Sequence, residues 1–90
     1  MARWTIEYLA SARKDARKLD PAARARIREF LEGRVAALEN PRELGETLHG
    51  PVLGHLWKYR VGDYRIICRV EDAVLLVLVI RLGHRRDVYR

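Results

Sequence analysis

The sequence predicts an α+β domain, β-α-α-β-β-β in order, with an N-terminal helical hairpin packed on one face of a small, twisted, antiparallel-rich sheet. Three observations carry this. The hydrophobic period is two at the start, helical through the first third, and two again after residue 56. Asp20-Pro21 punctuates the helical stretch as a cap with a first-turn proline. The segment WKYRVGDYRIICRV, Trp57 to Val70, alternates on both sides of a two-residue turn at Gly62-Asp63.

Trp4 to Leu9 reads as the opening strand, with Trp4, Ile6 and Tyr8 alternating against Thr5 and Glu7. Ser11 is placed to cap a helix over Ala12 to Leu19, where Ala12, Ala16 and Leu19 recur among Arg13, Lys14, Arg17 and Lys18. The helix opened by Asp20-Pro21 is longer. Ile27, Phe30, Leu31, Val35 and Leu38 form its apolar stripe, and Arg24, Arg28, Glu29 and Glu32 cover the rest. Gly33 within it costs up to about 1 kcal/mol relative to alanine and is assigned no role. Asn40-Pro41 ends this helix, and residues 42–55, with Gly45, Gly50, Pro51 and Gly54, are expected to form one long irregular connection. Beyond the hairpin, Glu71-Asp72 turns the chain. Ala73 to Ile80, apolar without alternation, reads as a central strand covered on both faces. Gly83 is expected to break the sheet, leaving the tail HRRDVYR.

Ninety residues make one domain, 1–90, large enough to bury roughly 60–70% of its unfolded surface without disulfides or a metal. A hydrophobic fraction of 49% and a charged fraction of 33% exclude a disordered chain. The net charge is +6, of which +4 falls in residues 55–90, so the basic surplus is concentrated in the C-terminal part. Such a surplus suits nucleic acid, an anionic membrane or an acidic protein. The one cysteine, Cys68, permits no intrachain disulfide and falls on the core face, in keeping with a reducing cytoplasm. MARWTIEYLASA lacks the apolar stretch of a secretory signal, and the run from Ala73 to Ile80 is far shorter than the roughly 20 residues of a membrane helix. A soluble cytoplasmic protein is expected.

In the hairpin, the two-residue turn sets Val61 opposite Tyr64 and Arg60 opposite Arg65. Trp57, Tyr59, Val61, Tyr64, Ile66, Cys68 and Val70 then share one face, and Lys58, Arg60, Arg65 and Arg69 the other, with Ile67 as an apolar exception. Like charges directly opposite each other destabilise a sheet, so the Arg60/Arg65 pair makes sense as an anion site. The competing reading is a solvated outer sheet face bearing ordinary long cations.

The segment LHGPVLGHLWKYRVGDYRIICRVEDAVLLVLVIRLGHRRDVYR, Leu48 to Arg90, resembles the RelE/ParE superfamily of bacterial toxins, and its RelE-like branch in particular. The elements that carry the resemblance are the loop LHGPVLG, the hairpin WKYRVGDYRII and the ending LGHRRDVYR. The resemblance implies the toxin component of a type II toxin–antitoxin system, neutralised by a cognate antitoxin protein. RelE-like members act on the ribosome and cleave mRNA in the A site without metal, by attack of a ribose 2′-hydroxyl on the adjacent phosphate. ParE-like members share the fold and poison DNA gyrase. Fold alone does not choose between them, or against an inactive relative that only binds an antitoxin.

Under the RelE-like reading, Lys58, Arg65, His84, Arg85 and Tyr89 are the candidate catalytic residues. Arg60 and Arg86 would hold flanking phosphates, and no metal or other cofactor is implied. Lys58 and Arg65 match the family's cationic hairpin positions; Arg85 and Tyr89 match its C-terminal arginine and tyrosine. A planar guanidinium gives Arg65 bidentate contact to phosphate. Lys58 serves as an electrostatic contact, or as a base if repulsion from Arg60 and Arg65 frees it of its proton. An imidazole titrates near neutrality, which makes His84 a candidate proton donor or acceptor, while His49 and His55 read as structural. Tyr89 is assigned to nucleobase stacking. One departure stands out: the further cation that RelE proper carries two positions before the one matched by Lys58 is here Leu56, which bears on the proton-transfer assignment.

Overall fold

Alternation, capping and turn chemistry resolve into five strands and two helices in the computed structural model, which describes residues 3–51 and 54–88. The strands are β1 (Thr5–Tyr8), β2 (Glu46–Thr47), β3 (Trp57–Val61), β4 (Tyr64–Glu71) and β5 (Leu76–His84). They lie in the order β1-β5-β4-β3-β2, with β1 parallel to β5 and all other neighbours antiparallel. Helices α1 (Ala10–Arg17) and α2 (Pro21–Arg28) join β1 to the rest. The Asp20 side chain accepts from the Ala23 N–H, the cap that the sequence predicts. The α2 axis continues through a wide π-helical stretch, Glu29–Arg34, which contains Gly33, and a tight 3-10 turn, Val35–Ala37.

Ala12, Ile27, Leu31 and Val35 from the helical layer meet Tyr59, Ile66, Cys68, Val77, Val79 and Leu82 from the sheet in the main core. Phe30 stands edge-on to the Tyr59 ring with centroids 5.6 Å apart, and the Tyr59 hydroxyl donates to the Pro41 carbonyl at 2.6 Å. Burial pushes the Cys68 thiol well above its ordinary range, so this sulfur is held as a neutral packing group. Among the described residues, no helix is long and apolar enough to cross a membrane.

Four expectations need correction. Ser11 is not a cap: α1 starts at Ala10 behind Leu9, and the Ser11 hydroxyl instead donates to the Ile80 carbonyl at 2.6 Å. The connection from β1 is so short that the first helical turn lies directly across β5, where a strand carbonyl competes for the hydroxyl. Residues 42–55 are not wholly irregular, because Glu46 and Thr47 pair with Lys58 and Trp57. The last strand begins at Leu76 rather than Ala73, since Asp72–Val74 forms a 3-10 turn and Leu75 takes a left-handed conformation, φ 51°. Its odd-numbered Val77 and Val79 are buried while Leu76, Leu78 and Ile80 are half-buried, so one face is covered more completely than the other.

Gly83 does not break the sheet either. Strand β5 runs through it to His84, and the ladder is interrupted earlier, by a bulge: Cys68 faces Val79 but Ile67 faces Arg81, leaving Ile80 as the extra residue. Helix α1 fastens this bulge from above. Besides Ser11, the Asp15 carboxylate accepts from Arg81 Nε at 2.7 Å and from the Leu82 backbone N–H at 3.1 Å. Burial pushes the Asp15 carboxyl up, and these donors more than offset it, leaving the group below the usual aspartate range.

Candidate nucleic-acid interface

The hairpin register is the one the Gly62-Asp63 turn dictates, with Arg60 opposite Arg65 and Val61 opposite Tyr64. Only the first turn residue, Gly62, has positive φ (58°), as a turn with glycine at its first central position requires. Since Tyr59, Ile66 and Cys68 lie in the core, Lys58, Arg60, Arg65 and Arg69 stand on the sheet face away from the helices. The apolar exception, Ile67, anchors a second small cluster on that face with Leu48 and Val88, flanked by Leu56. Ile67 is 7% exposed and Val88 3%, so the segment before β3 and the C-terminal turn meet over an apolar floor beside the basic row. Leu56, where the resemblance to RelE leads one to expect a cation, belongs to this floor.

The C-terminal turn is tied to the hairpin tip by the Arg85 N–H, which donates to the Asp63 carbonyl at 2.8 Å. It closes on itself through the Asp87 and Val88 N–H groups, both donating to the His84 carbonyl. Arg85 and Arg86 project from it exposed. His84 is placed differently from the basic row. It pairs with Tyr64, its ring stands edge-on to that tyrosine at 6.2 Å, and its Nδ1 accepts from the Arg86 N–H at 3.2 Å. The bulge is the cause, because one extra residue reverses the faces of everything after it. Leu82 and His84 thereby turn toward the helical layer, and Gly83 comes opposite Arg65. A Cβ at Gly83, the register partner of Arg65, would have no neighbour within 4 Å, so the space over Gly83 is open. Tyr89 lies outside the described residues.

Arg65 uses one terminal nitrogen, Nη1, to donate to the carbonyls of Gly62 and Tyr64, both at 3.0 Å. That anchors the guanidinium at the hairpin tip. Its other nitrogens donate to no described residue. Arg69, farther along β4, is bound by Glu71 at 2.6 Å. The charged residue of this face that sequence reasoning missed is Glu46. Its Oε1 accepts from Lys58 Nζ at 3.3 Å and from Arg60 Nη2 at 2.9 Å, and the Lys58 contact, followed by Arg60, holds its carboxyl below the usual glutamate range. The available signal was an acidic residue just after a glycine and fourteen residues before Arg60, which specifies nothing without the strand pairing.

Glu46 reaches this position because Gly45 lets β2 lie tightly on β3. At φ 82° a Cβ there would overlap the Lys58 carbonyl oxygen and sit 2.6 Å from Trp57 Nε1. Gly45→Ala is therefore expected to cost about 2–4 kcal/mol, read as a lowered urea midpoint at unchanged slope. A loss under 0.5 kcal/mol would mean β2 is free to move away. Among the described residues, no three His, Cys, Asp or Glu side chains converge to hold a metal ion.

Residues 6–89 match the family described as ParE toxin of type II toxin-antitoxin system, parDE. The chain belongs to the RelE/ParE toxin superfamily. It is the toxin of a type II toxin–antitoxin system. The toxin is 32% identical over 87 residues to toxin RelG of Mycobacterium tuberculosis, covering 97% of both chains. It is 31% identical over 86 residues to the mRNA interferase toxin RelE of Escherichia coli, covering 93% of this chain and 87% of the other. In three dimensions it matches a chain of the RelBE2 toxin–antitoxin complex of M. tuberculosis with TM-score 0.84 at 31% identity, over 97% of each chain. The α+β layering predicted for this toxin is the architecture of these RelE structures.

Proposed function

We propose that this toxin is an endoribonuclease that cuts mRNA on the ribosome by 2′-hydroxyl attack, with side chains rather than a metal supplying the charge. The observation that carries the reading is the gathering of Lys58, Arg60 and Arg65 on one sheet face, with the turn bearing Arg85 and Arg86 bonded to the hairpin tip through Asp63. The naming of a 31% identical relative as an mRNA interferase supports it. In the reaction the 2′-oxygen gives up its proton and bonds to phosphorus, the P–O5′ bond breaks, and the 5′-oxygen takes a proton. The products are a 2′,3′-cyclic phosphate and a 5′-hydroxyl. Charge grows on the non-bridging oxygens in the transition state, so a fixed guanidinium is best used there. Arg65 fills that role, because Nη1 is anchored at the hairpin tip and the remaining guanidinium nitrogens donate to no described residue.

Lys58 and Arg85 add positive charge at the same phosphate, and Arg60 and Arg86 hold its neighbours. The His84 Nδ1 accepts from the Arg86 N–H within the turn. It acts by fixing the turn that carries Arg85 and Arg86. Tyr89 stacks on a base. A cognate antitoxin is the partner, as the match to a toxin–antitoxin complex supports, and it restrains this toxin by laying an acidic or amphipathic segment over the basic face. Purified toxin with programmed ribosomes should yield cut mRNA with the ends given above and leave gyrase supercoiling untouched. Intact mRNA with inhibited gyrase would assign the toxin to the ParE-like activity instead.

A further inference from the structure

The cations of the basic face are not idle in the free toxin, because each is already held by an acceptor of the toxin itself. Arg65 donates to two backbone carbonyls of the hairpin tip. Lys58 and Arg60 share a single oxygen, Glu46 Oε1, at 3.3 and 2.9 Å. That contact is built into the fold: Glu46 is the register partner of Lys58, β2 consists of Glu46 and Thr47 alone, and Gly45 is what lets the strand approach. The Lys58 side chain is only 16% exposed whereas that of Glu46 is 47% exposed, so the acid is the more accessible member of the pair. A phosphate arriving at these two cations finds the acid already bound to both.

We infer that Glu46 is a resident counter-anion of the RNA-binding face, which occupies Lys58 and Arg60 in the free toxin and yields them to a phosphate of single-stranded RNA. This rests on the endoribonuclease reading and adds a control to it. A carboxylate and a phosphate cannot share the same two cations without repulsion, so one must displace the other. Ion pairs this exposed are weak, which makes the exchange easy. RNA diffusing freely pays for that exchange at each encounter. RNA already held in place by a larger body presents its phosphate at high effective concentration and displaces the acid readily.

The test uses a fluorescent 2′-O-methyl RNA oligonucleotide, which binds but has no 2′-hydroxyl to react, titrated with the full chain at a series of salt concentrations. Glu46→Gln keeps the shape of the side chain and removes its charge. It should bind roughly three- to tenfold more tightly at low salt, with a salt slope steeper by about 0.7. Glu7→Gln, on β1 at the opposite edge of the sheet, makes the same change in net charge and should leave both nearly unchanged. If the two variants behave alike, net charge explains the effect and Glu46 has no special place. If Glu46→Gln binds more weakly than wild type, Glu46 aligns Lys58 for RNA, and the inference is overturned. Lys58→Ala with Arg60→Ala separates the two levels. Weaker binding there, combined with no gain from Glu46→Gln, overturns the counter-anion alone. No loss there, or no measurable binding by wild type at low salt, overturns the binding face and the counter-anion together.

Discussion

Arg65→Ala is expected to lower ribosome-dependent mRNA cleavage by about 10²–10³-fold, the usual cost of removing a preorganised donor from a developing oxyanion, and to relieve growth arrest on expression. The fold should survive. Arg65 lies opposite Gly83 on one side and Arg60 on the other, and among the described residues its side-chain hydrogen bonds go only to carbonyls of the hairpin tip. Removing it also relieves the like-charge contact with Arg60. Arg65→Lys should recover only part of the rate, since an ammonium supplies charge without the planar fork. Primer extension on ribosome-bound message measures both variants, and circular dichroism confirms that they fold. Undiminished cleavage by a folded Arg65→Ala protein would remove the guanidinium from the chemistry and with it the site as drawn.

Much of this geometry was legible in the chain because local rules fixed it. A two-residue turn sets the register of its own hairpin, so the faces of Lys58, Arg60, Arg65, Tyr59 and Ile66 followed from WKYRVGDYRIICRV alone. Asp20-Pro21 likewise fixed the start of α2. What escaped was decided by contacts distant in sequence. Strand β2 has two residues and exists only because Lys58 and Trp57 lie beside it, so no periodicity announces it. Ser11 meets the Ile80 carbonyl 69 residues away, a competitor invisible from the helix sequence. His84 entered the constellation through the family resemblance and its titration range, and neither could show that the bulge at Ile80 sets it opposite Tyr64, toward the helical layer. Gly83, read as a breaker, instead continues β5 opposite Arg65, with open space over it.

The bulge in turn depends on Asp15, for which the second large effect is expected. Asp15→Ala should destabilise the toxin by about 2–3 kcal/mol, because it leaves the Leu82 N–H without its acceptor and strips Arg81 of its partner. The figure is set below that of a fully buried pair because the Arg81 side chain is 37% exposed and screened by water. For a domain of this size that corresponds to a melting temperature lower by roughly 10–20 °C. The pH dependence has a definite sign. The folded carboxyl titrates below its unfolded value, so its contribution is fully present above about pH 4 and is lost as pH falls through the folded value. The gap in stability between wild type and Asp15→Ala should therefore be constant from pH 7 to pH 5 and narrow in acid. Thermal melts of both proteins across that range measure it. A gap that persists unchanged to pH 2 would mean that the lost packing of the side chain, rather than its charge, holds α1 to β5. Asp15→Asn refines the result, since its carbonyl can still accept from Leu82 while its amide opposes Arg81. If the bulge is what places Gly83 opposite Arg65, then Asp15→Asn should also lose cleavage at a temperature where it remains folded, although residue 15 lies on a helix behind the sheet.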